Sequence, residues 1–173
     1  MNSSQYIKEL RTDQGLSIYD VSLKSPVMMV FLRHFGCVFC REALKQIKKE
    51  RSNWEKKGIT VVLIHPSSKA SGEVYLTQFD LLDIPSIADP ECKIYERFGL
   101  TKASMSQLFG LSTFFRGFEV AAKGILPVLK QVGDGFQMPG IFIIFHGEIK
   151  GSYIHKSASD KPDYNELLSC CIA

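Results

Sequence analysis

Long apolar runs are missing from this 173-residue chain: nowhere do about eighteen apolar residues follow one another, which excludes a membrane-spanning helix. Met1 to Gly15 is polar and lacks the apolar core of a secretory signal. Charge of either sign is nearly balanced, at a formal +3. No basic run is interleaved with aromatics in the way a nucleic-acid groove requires, so nucleic acid is not an expected partner. Internal repeats and low-complexity segments are absent. Cysteine is scarce and odd in number, at five, which argues against a disulfide framework. The expectation is a soluble, cytoplasmic protein in a reducing compartment, where any disulfide is transient and functional.

What is present is the composition of an ordinary globular protein, long enough to bury a substantial core, and one domain over residues 1–173 is expected. Its organising stretch is Arg33-His34-Phe35-Gly36-Cys37-Val38-Phe39-Cys40-Arg41-Glu42. Val27 to Leu32 is a short apolar, β-rich run, Gly36 breaks it, and from Val38 the apolar spacing becomes helical. Cys37 and Cys40 therefore stand at a helix start, where free N–H groups and the helix dipole favour an anion. Arg33, Arg41 and a charged His34 add positive potential. In one helical turn positions i and i+3 share a face, so the two thiols can close a small disulfide, one attacking a substrate and the other resolving the intermediate. Structural zinc is the competing reading, but it needs a second ligand pair. Cys170 and Cys171 are adjacent and no His-x-x-x-His follows, so no metal site is expected.

Along the chain, Ser4 to Arg11 reads as a helical turn and Leu16 to Val21, alternating apolar and polar, as a half-buried edge strand. Val27 to Leu32, without alternation, reads as a central strand covered on both faces. A helix follows to Gly58; Ile59 to His65 is a second buried strand; and Pro66-Ser67-Ser68 opens a helix running to Leu81. Strand, helix, strand, helix implies a right-handed parallel crossover and an α/β class. A short strand over Ile84 to Ala88, a helix from Glu91 to Phe98, a helical insertion over about 100–135, a hairpin from Gly140 to Ile154 and a last helix ending near Cys170 complete the pattern.

A buried strand leading into Cys-x-x-Cys, a βαβ crossover, and a proline opening a hairpin with a terminal helix together resemble the thioredoxin fold. Phe31 to Glu42 resembles more closely the peroxiredoxin-like branch of the alkyl hydroperoxide reductase/thiol-specific antioxidant (AhpC/TSA) group. Supporting stretches are Ala88-Asp89-Pro90 with Tyr95 to Leu100, Gly133 to Gln137, and Tyr153-Ile154-His155 before Asp160. The resemblance implies a thioredoxin fold: a central mixed β-sheet flanked by helices, with an N-terminal strand extension. By the same likeness Pro139 would be a cis-proline facing the cysteines, and the Met138 backbone would pair with an extended substrate. Two orders of attack stay open. The peroxiredoxin pattern places Cys40 at the attacking position and Cys37 where a threonine usually stands. Thioredoxin logic makes Cys37 the nucleophile, which is the order favoured here. Arg33 occupies the position of the pattern's proline.

Of the remaining candidates, His65, His155 and Glu42 read as structural or solvated residues. Cys92 reads as a packing residue, and Cys170 or Cys171 as a less favoured resolving thiol. The implied activity is a thiol-disulfide oxidoreductase with antioxidant activity, reducing peroxide or disulfide substrates. It needs no metal or bound organic cofactor, and an external dithiol such as thioredoxin or glutathione restores it. The chain would act as a monomer or homodimer. Rival readings are a lipid endoperoxide (prostaglandin-type) reductase and a non-catalytic redox-sensing or interaction module.

Overall fold

The computed structural model describes residues 3–104, 119–122, 124, 135–169 and 171. Five strands, β1 (Val27–Phe31), β2 (Thr60–His65), β3 (Ser86–Ala88), β4 (Gly140–Phe145) and β5 (Glu148–Ile154), form one sheet in the order β3-β2-β1-β4-β5. β1 runs parallel to β2, and β2 to β3, while β4 is antiparallel to both β1 and β5. The sheet is mixed, as the sequence pattern implies. Among the described residues the helices α1 (Ser3–Glu9), α2 (Ile18–Ser22), α3 (Val38–Lys56), α4 (Lys69–Gln78), α5 (Lys93–Arg97) and α6 (Tyr164–Leu168) flank it.

Side chains along a strand point alternately to opposite faces, and β1 shows why its sequence does not alternate. Met28, Val30 and Leu32 enter one core with Leu44, Ile47 and Trp54 of α3, Tyr75 and Leu76 of α4, and Tyr164 and Leu168 of α6. Val27, Met29 and Phe31 enter the other with Ile7 of α1, Ile18 of α2 and Tyr95 of α5. Both sides of β1 are thus dry, and every residue of it is buried. Truncating a side chain such as Leu44, which is fully buried, to Ala costs about 2–5 kcal/mol in such a core. Trp54 lies against Tyr164, ring centroids 5.2 Å apart.

Local chemistry ends the elements where expected. Gly58, at φ +78°, takes the left-handed conformation that closes α3 without a Cβ penalty. His146 and Gly147, both at positive φ, make the two-residue turn that suits a β4–β5 hairpin. Asp163 caps α6 by accepting N–H bonds from Asn165 and Glu166, as a carboxylate at an N-cap does.

The N-terminal strand is a correction. Leu16 to Val21, expected as an edge strand, is not one: a single bridge joins Arg11 to Ser17, and Ile18–Ser22 is the helix α2. Ser17 Oγ accepts the N–H of Asp20 at 3.2 Å, an N-cap bond that outweighs a short alternation equally compatible with one helical turn. The spacing Ser17-x-x-Asp20 is a capping-box pattern, and it is the signal in the sequence that marks this start. Of the expected insertion over 100–135, residues 105–118, 123 and 125–134 lie outside the described residues, while 119–122 are helical. Among the described residues no helix is long and apolar enough to cross a membrane.

Candidate active site

The site is built where β1 hands the chain to α3. Leu32 extends the β1–β2 ladder by one bond, its N–H to Ile64 O at 2.8 Å. A turn then closes with the Cys37 N–H on His34 O at 3.1 Å. Cys37 is the N-cap of α3, with extended φ −74° and ψ 129° and no side-chain cap bond. Its sulfur thus lies over the free N–H groups of the first turn, and those of Phe39 and Cys40 act on it.

Cys37 and Cys40 approach to 4.1 Å, and Arg33 reaches both. Its Nη1 lies 3.5 Å from Cys37 Sγ, and its backbone N–H donates to Cys40 Sγ at 3.3 Å. The same guanidinium donates through Nε and Nη2 to Gly135 O, which fixes its plane. Both thiols are almost entirely buried, at 7% and 5% exposure, and burial alone would keep both protonated. Opposing interactions split the pair. The neighbouring Cys40 thiol, then Arg33 and the helix N–H groups, pull Cys37 well below the ordinary thiol range against its burial. Cys40 is pushed up, first by the neighbouring Cys37 sulfur and next by burial. The two shifts run in opposite directions, favouring ionisation at Cys37 over Cys40, the asymmetry that thiol-disulfide exchange uses.

The other expected residues are placed less uniformly. His34 is buried, and its backbone serves the turn through its carbonyl and Cys40 through its N–H. Arg41 sends its guanidinium over the Phe79 ring, 5.6 Å from the centroid, toward the end of α4. Helical proximity to Cys37 does not decide where so long a side chain settles. The Met138–Pro139 bond is trans, where the resemblance implied cis; trans is the ordinary preference before proline. The Met138 N–H is already donated to Thr101 O at 3.2 Å, and Gln137, itself buried, donates from Nε2 to Leu100 O at 3.0 Å. That segment is therefore held by its own chain.

A narrow cleft of about 50 Å³ opens beside the pair, bordered by Arg33, Phe39, Cys40, Pro139, His155 and Asp160. Cys40, not Cys37, forms its wall. Burial pushes His155 down to about 4 despite the nearby Asp160, so its imidazole is neutral at neutral pH. Asp160 is itself anchored by the N–H groups of Lys156 and Ser157 and the Ser157 hydroxyl. Sequence reasoning passes over Gly135, whose contribution is a backbone carbonyl with no residue signature, and sets His155 aside as a strand-end residue. Elsewhere, His65 is buried against Ser67 Oγ at 2.9 Å, Cys92 is buried in the opposite core, and Cys171 packs on the first; Cys170 lies outside the described residues. Among the described residues no group of three or more His, Cys, Asp or Glu is placed to hold a metal ion.

A mixed sheet whose central strand delivers two thiols to a helix start defines a thioredoxin-fold, peroxiredoxin-like protein. Peroxiredoxins share the fold. A cysteine-to-serine mutant of peroxiredoxin 6 of Arenicola marina matches with a TM-score of 0.63 at 16% identity, over 92% of this chain and 66% of that one. The bacterioferritin comigratory protein of Xanthomonas campestris matches with a TM-score of 0.62 at 11% identity, over 91% and 85%. The family profile described as AhpC/TSA antioxidant enzyme matches residues 45–159, more than half of the chain, and the chain belongs to that family. The match begins beyond Cys40, so it does not depend on the cysteine pair. Among curated proteins, the chain is 27% identical over 177 residues to the thioredoxin-like protein AAED1, chloroplastic, of Arabidopsis thaliana, covering 96% of this chain and 70% of that protein. It is 24% identical over 165 residues to prostamide/prostaglandin F synthase of Danio rerio, covering 93% and 81%.

Proposed function

We propose that this protein is a thiol-dependent peroxidase and disulfide reductase in which Cys37 attacks and Cys40 resolves. The observation that carries the reading is the asymmetry of the pair: Cys37, at the N-cap of α3, turns its Sγ to the Arg33 guanidinium at 3.5 Å, while Cys40 stands 4.1 Å away inside the first turn. The Cys37 thiolate attacks a peroxide oxygen; the S–O bond forms, the O–O bond breaks, and the departing alkoxide takes a proton from solvent. Cys40 then attacks the Cys37 sulfenic acid, forming the disulfide as the S–O bond breaks, and its proton leaves with the hydroxide as water. With a disulfide substrate the first product is a mixed disulfide instead. A dithiol donor of the thioredoxin or glutathione type supplies two electrons and two protons to restore the pair, and no resident cofactor takes part. The reading takes Met138 and Pro139 as substrate-binding residues; its support is that Pro139 borders the cleft.

Stopped-flow oxidation by hydrogen peroxide, a lipid hydroperoxide and a small disulfide tests the reading with wild type, Cys37→Ser and Cys40→Ser. Cys37→Ser should lose the fast phase, while Cys40→Ser keeps it and accumulates sulfenic acid or mixed disulfide. The reverse pattern would establish the opposite order. That second order has one observation in its favour, because Cys40 lines the cleft and the resemblance places it at the attacking position. Similarity to a prostaglandin F synthase keeps a lipid endoperoxide among the substrates to assay. A Cys37 that alkylates with the pH dependence of a free thiol would instead favour a non-catalytic interaction module. For the compartment we propose reducing surroundings, cytoplasmic or organellar.

A further inference from the structure

Tyr95 is wholly buried in the core opposite α3. Its ring meets Phe31 edge-on, with centroids 5.0 Å apart, a contact that a phenylalanine would make equally well. The hydroxyl is what packing does not explain. It donates toward two strand-end carbonyls, Leu32 O at 2.5 Å and Ile64 O at 3.0 Å, although Ile64 O already receives the Leu32 N–H.

The Leu32 carbonyl belongs to the Leu32–Arg33 peptide, and the N–H of that same planar unit is the one donated to Cys40 Sγ at 3.3 Å. A peptide group is rigid, so fixing its oxygen fixes its hydrogen. A donor on the oxygen also polarises the N–H, strengthening the bond made on the far side. The phenol is itself held in place: the Asp89 carboxylate, buried at 6% exposure, accepts the N–H groups of Lys93, Ile94 and Tyr95 and pins the start of α5.

We propose that Tyr95 is a positioning residue for the thiol pair, acting through the Leu32–Arg33 peptide on Cys40. Its role, which rests on the reaction proposed above, falls in the resolving step. Once Cys37 has become a neutral sulfenic acid, Cys40 must surrender its proton and attack, and the Arg33 N–H meets the negative charge that develops on its sulfur. Burial holds the phenol protonated far above its ordinary range, so it donates throughout the working pH. The ionisable groups around the pair include Arg33 at the strand end, Glu42 of α3, Tyr95 of α5 with Asp89 and Cys92 beside it, Tyr164 of α6, and His155, Asp160 and Lys161 across the cleft.

The test follows Cys40 by peptide mass spectrometry of its iodoacetamide alkylation, read separately from Cys92, Cys170 and Cys171, as a rate against pH in Cys37→Ser and in Cys37→Ser/Tyr95→Phe. The midpoint of the double variant should lie about half a pH unit higher, which is about threefold slower alkylation on the acid limb. In the Cys37-containing background Tyr95→Phe should leave the first oxidation step near wild type and prolong the life of the trapped sulfenic acid. A core variant in α1, Ile7→Val, controls for general loosening and should leave the Cys40 profile in place. An unchanged profile in Tyr95→Phe, with only a lower melting temperature, would overturn the proposal. Should Tyr95→Phe fail to fold, Asp89→Asn is the deciding variant: it should move the profile in the same direction by a smaller amount, and no movement overturns the proposal. A wild type inert to every peroxide and disulfide would sink the proposed reaction instead, and the alkylation comparison would still be readable.

Discussion

Among the described residues two helices begin at a cysteine, and the two starts surround their sulfurs differently. Cys37 opens α3 and Cys92 opens α5, neither makes a side-chain cap bond, and both are buried at 7% exposure. They differ in what the helix N–H groups are already doing. At α5 the Asp89 carboxylate accepts three of them, and Cys92 sits in the left-handed region at φ 56°. At α3 the extended backbone of Cys37 brings its own sulfur to the N–H groups, with Arg33 in support. A helix start activates a thiol when its donors are unclaimed, so position along the helix is not by itself enough.

The comparison breaks most sharply on exchange of the two cysteines for serine. Cys37→Ser should reduce single-turnover oxidation to background, whereas Cys92→Ser should stay within about twofold of wild type, since Cys92 is buried in the opposite core and does not border the cleft; stopped-flow traces decide. Acid should come next, because His155 stands in the cleft beside Cys40. Its ordinary value of 6.5 falls to about 4 in the folded chain, so between those values the unfolded chain binds the extra proton. Its contribution is complete above about pH 6.5 and lost as pH falls toward 4, amounting to about 3 kcal/mol. Urea unfolding at stepped pH measures it, and His155→Gln should flatten the slope. Arg33→Met should raise the pH at which Cys37 ionises from about 6 by about one pH unit, slowing its alkylation by about tenfold at pH 5 and about twofold at pH 7, while Arg33→Lys recovers part of the rate. The smallest effect belongs to the other helix. Asp89→Ala removes the α5 cap at a cost of about 1–2 kcal/mol, visible as a lower melting temperature.

The elements that can be read from sequence are those whose signals are local. β1, the β4–β5 hairpin and the start of α3 follow from apolar runs and glycine breaks a few residues long. α2 escapes such a reading because six residues of alternation fit a strand and a capped turn alike, and only the Ser17–Asp20 spacing separates the two. At the site, Cys37, Cys40 and Arg33 lie within eight residues of one another, so one motif holds them. Tyr95 reaches Leu32 across 63 positions and Arg33 reaches Gly135 across 102, and no local pattern encodes such meetings. Arg41 shows the converse limit: a neighbour in sequence, it is drawn off by the Phe79 ring.

The chain carries a single tryptophan, and its placement has a practical use. Trp54 touches Tyr164, and Tyr164 forms part of the rim of the narrow opening next to Cys40. Indole emission responds to small changes in its surroundings, so the molecule contains its own optical gauge, seated one ring away from the sulfurs. If the proposed disulfide forms, intrinsic fluorescence of the unlabelled protein should report it.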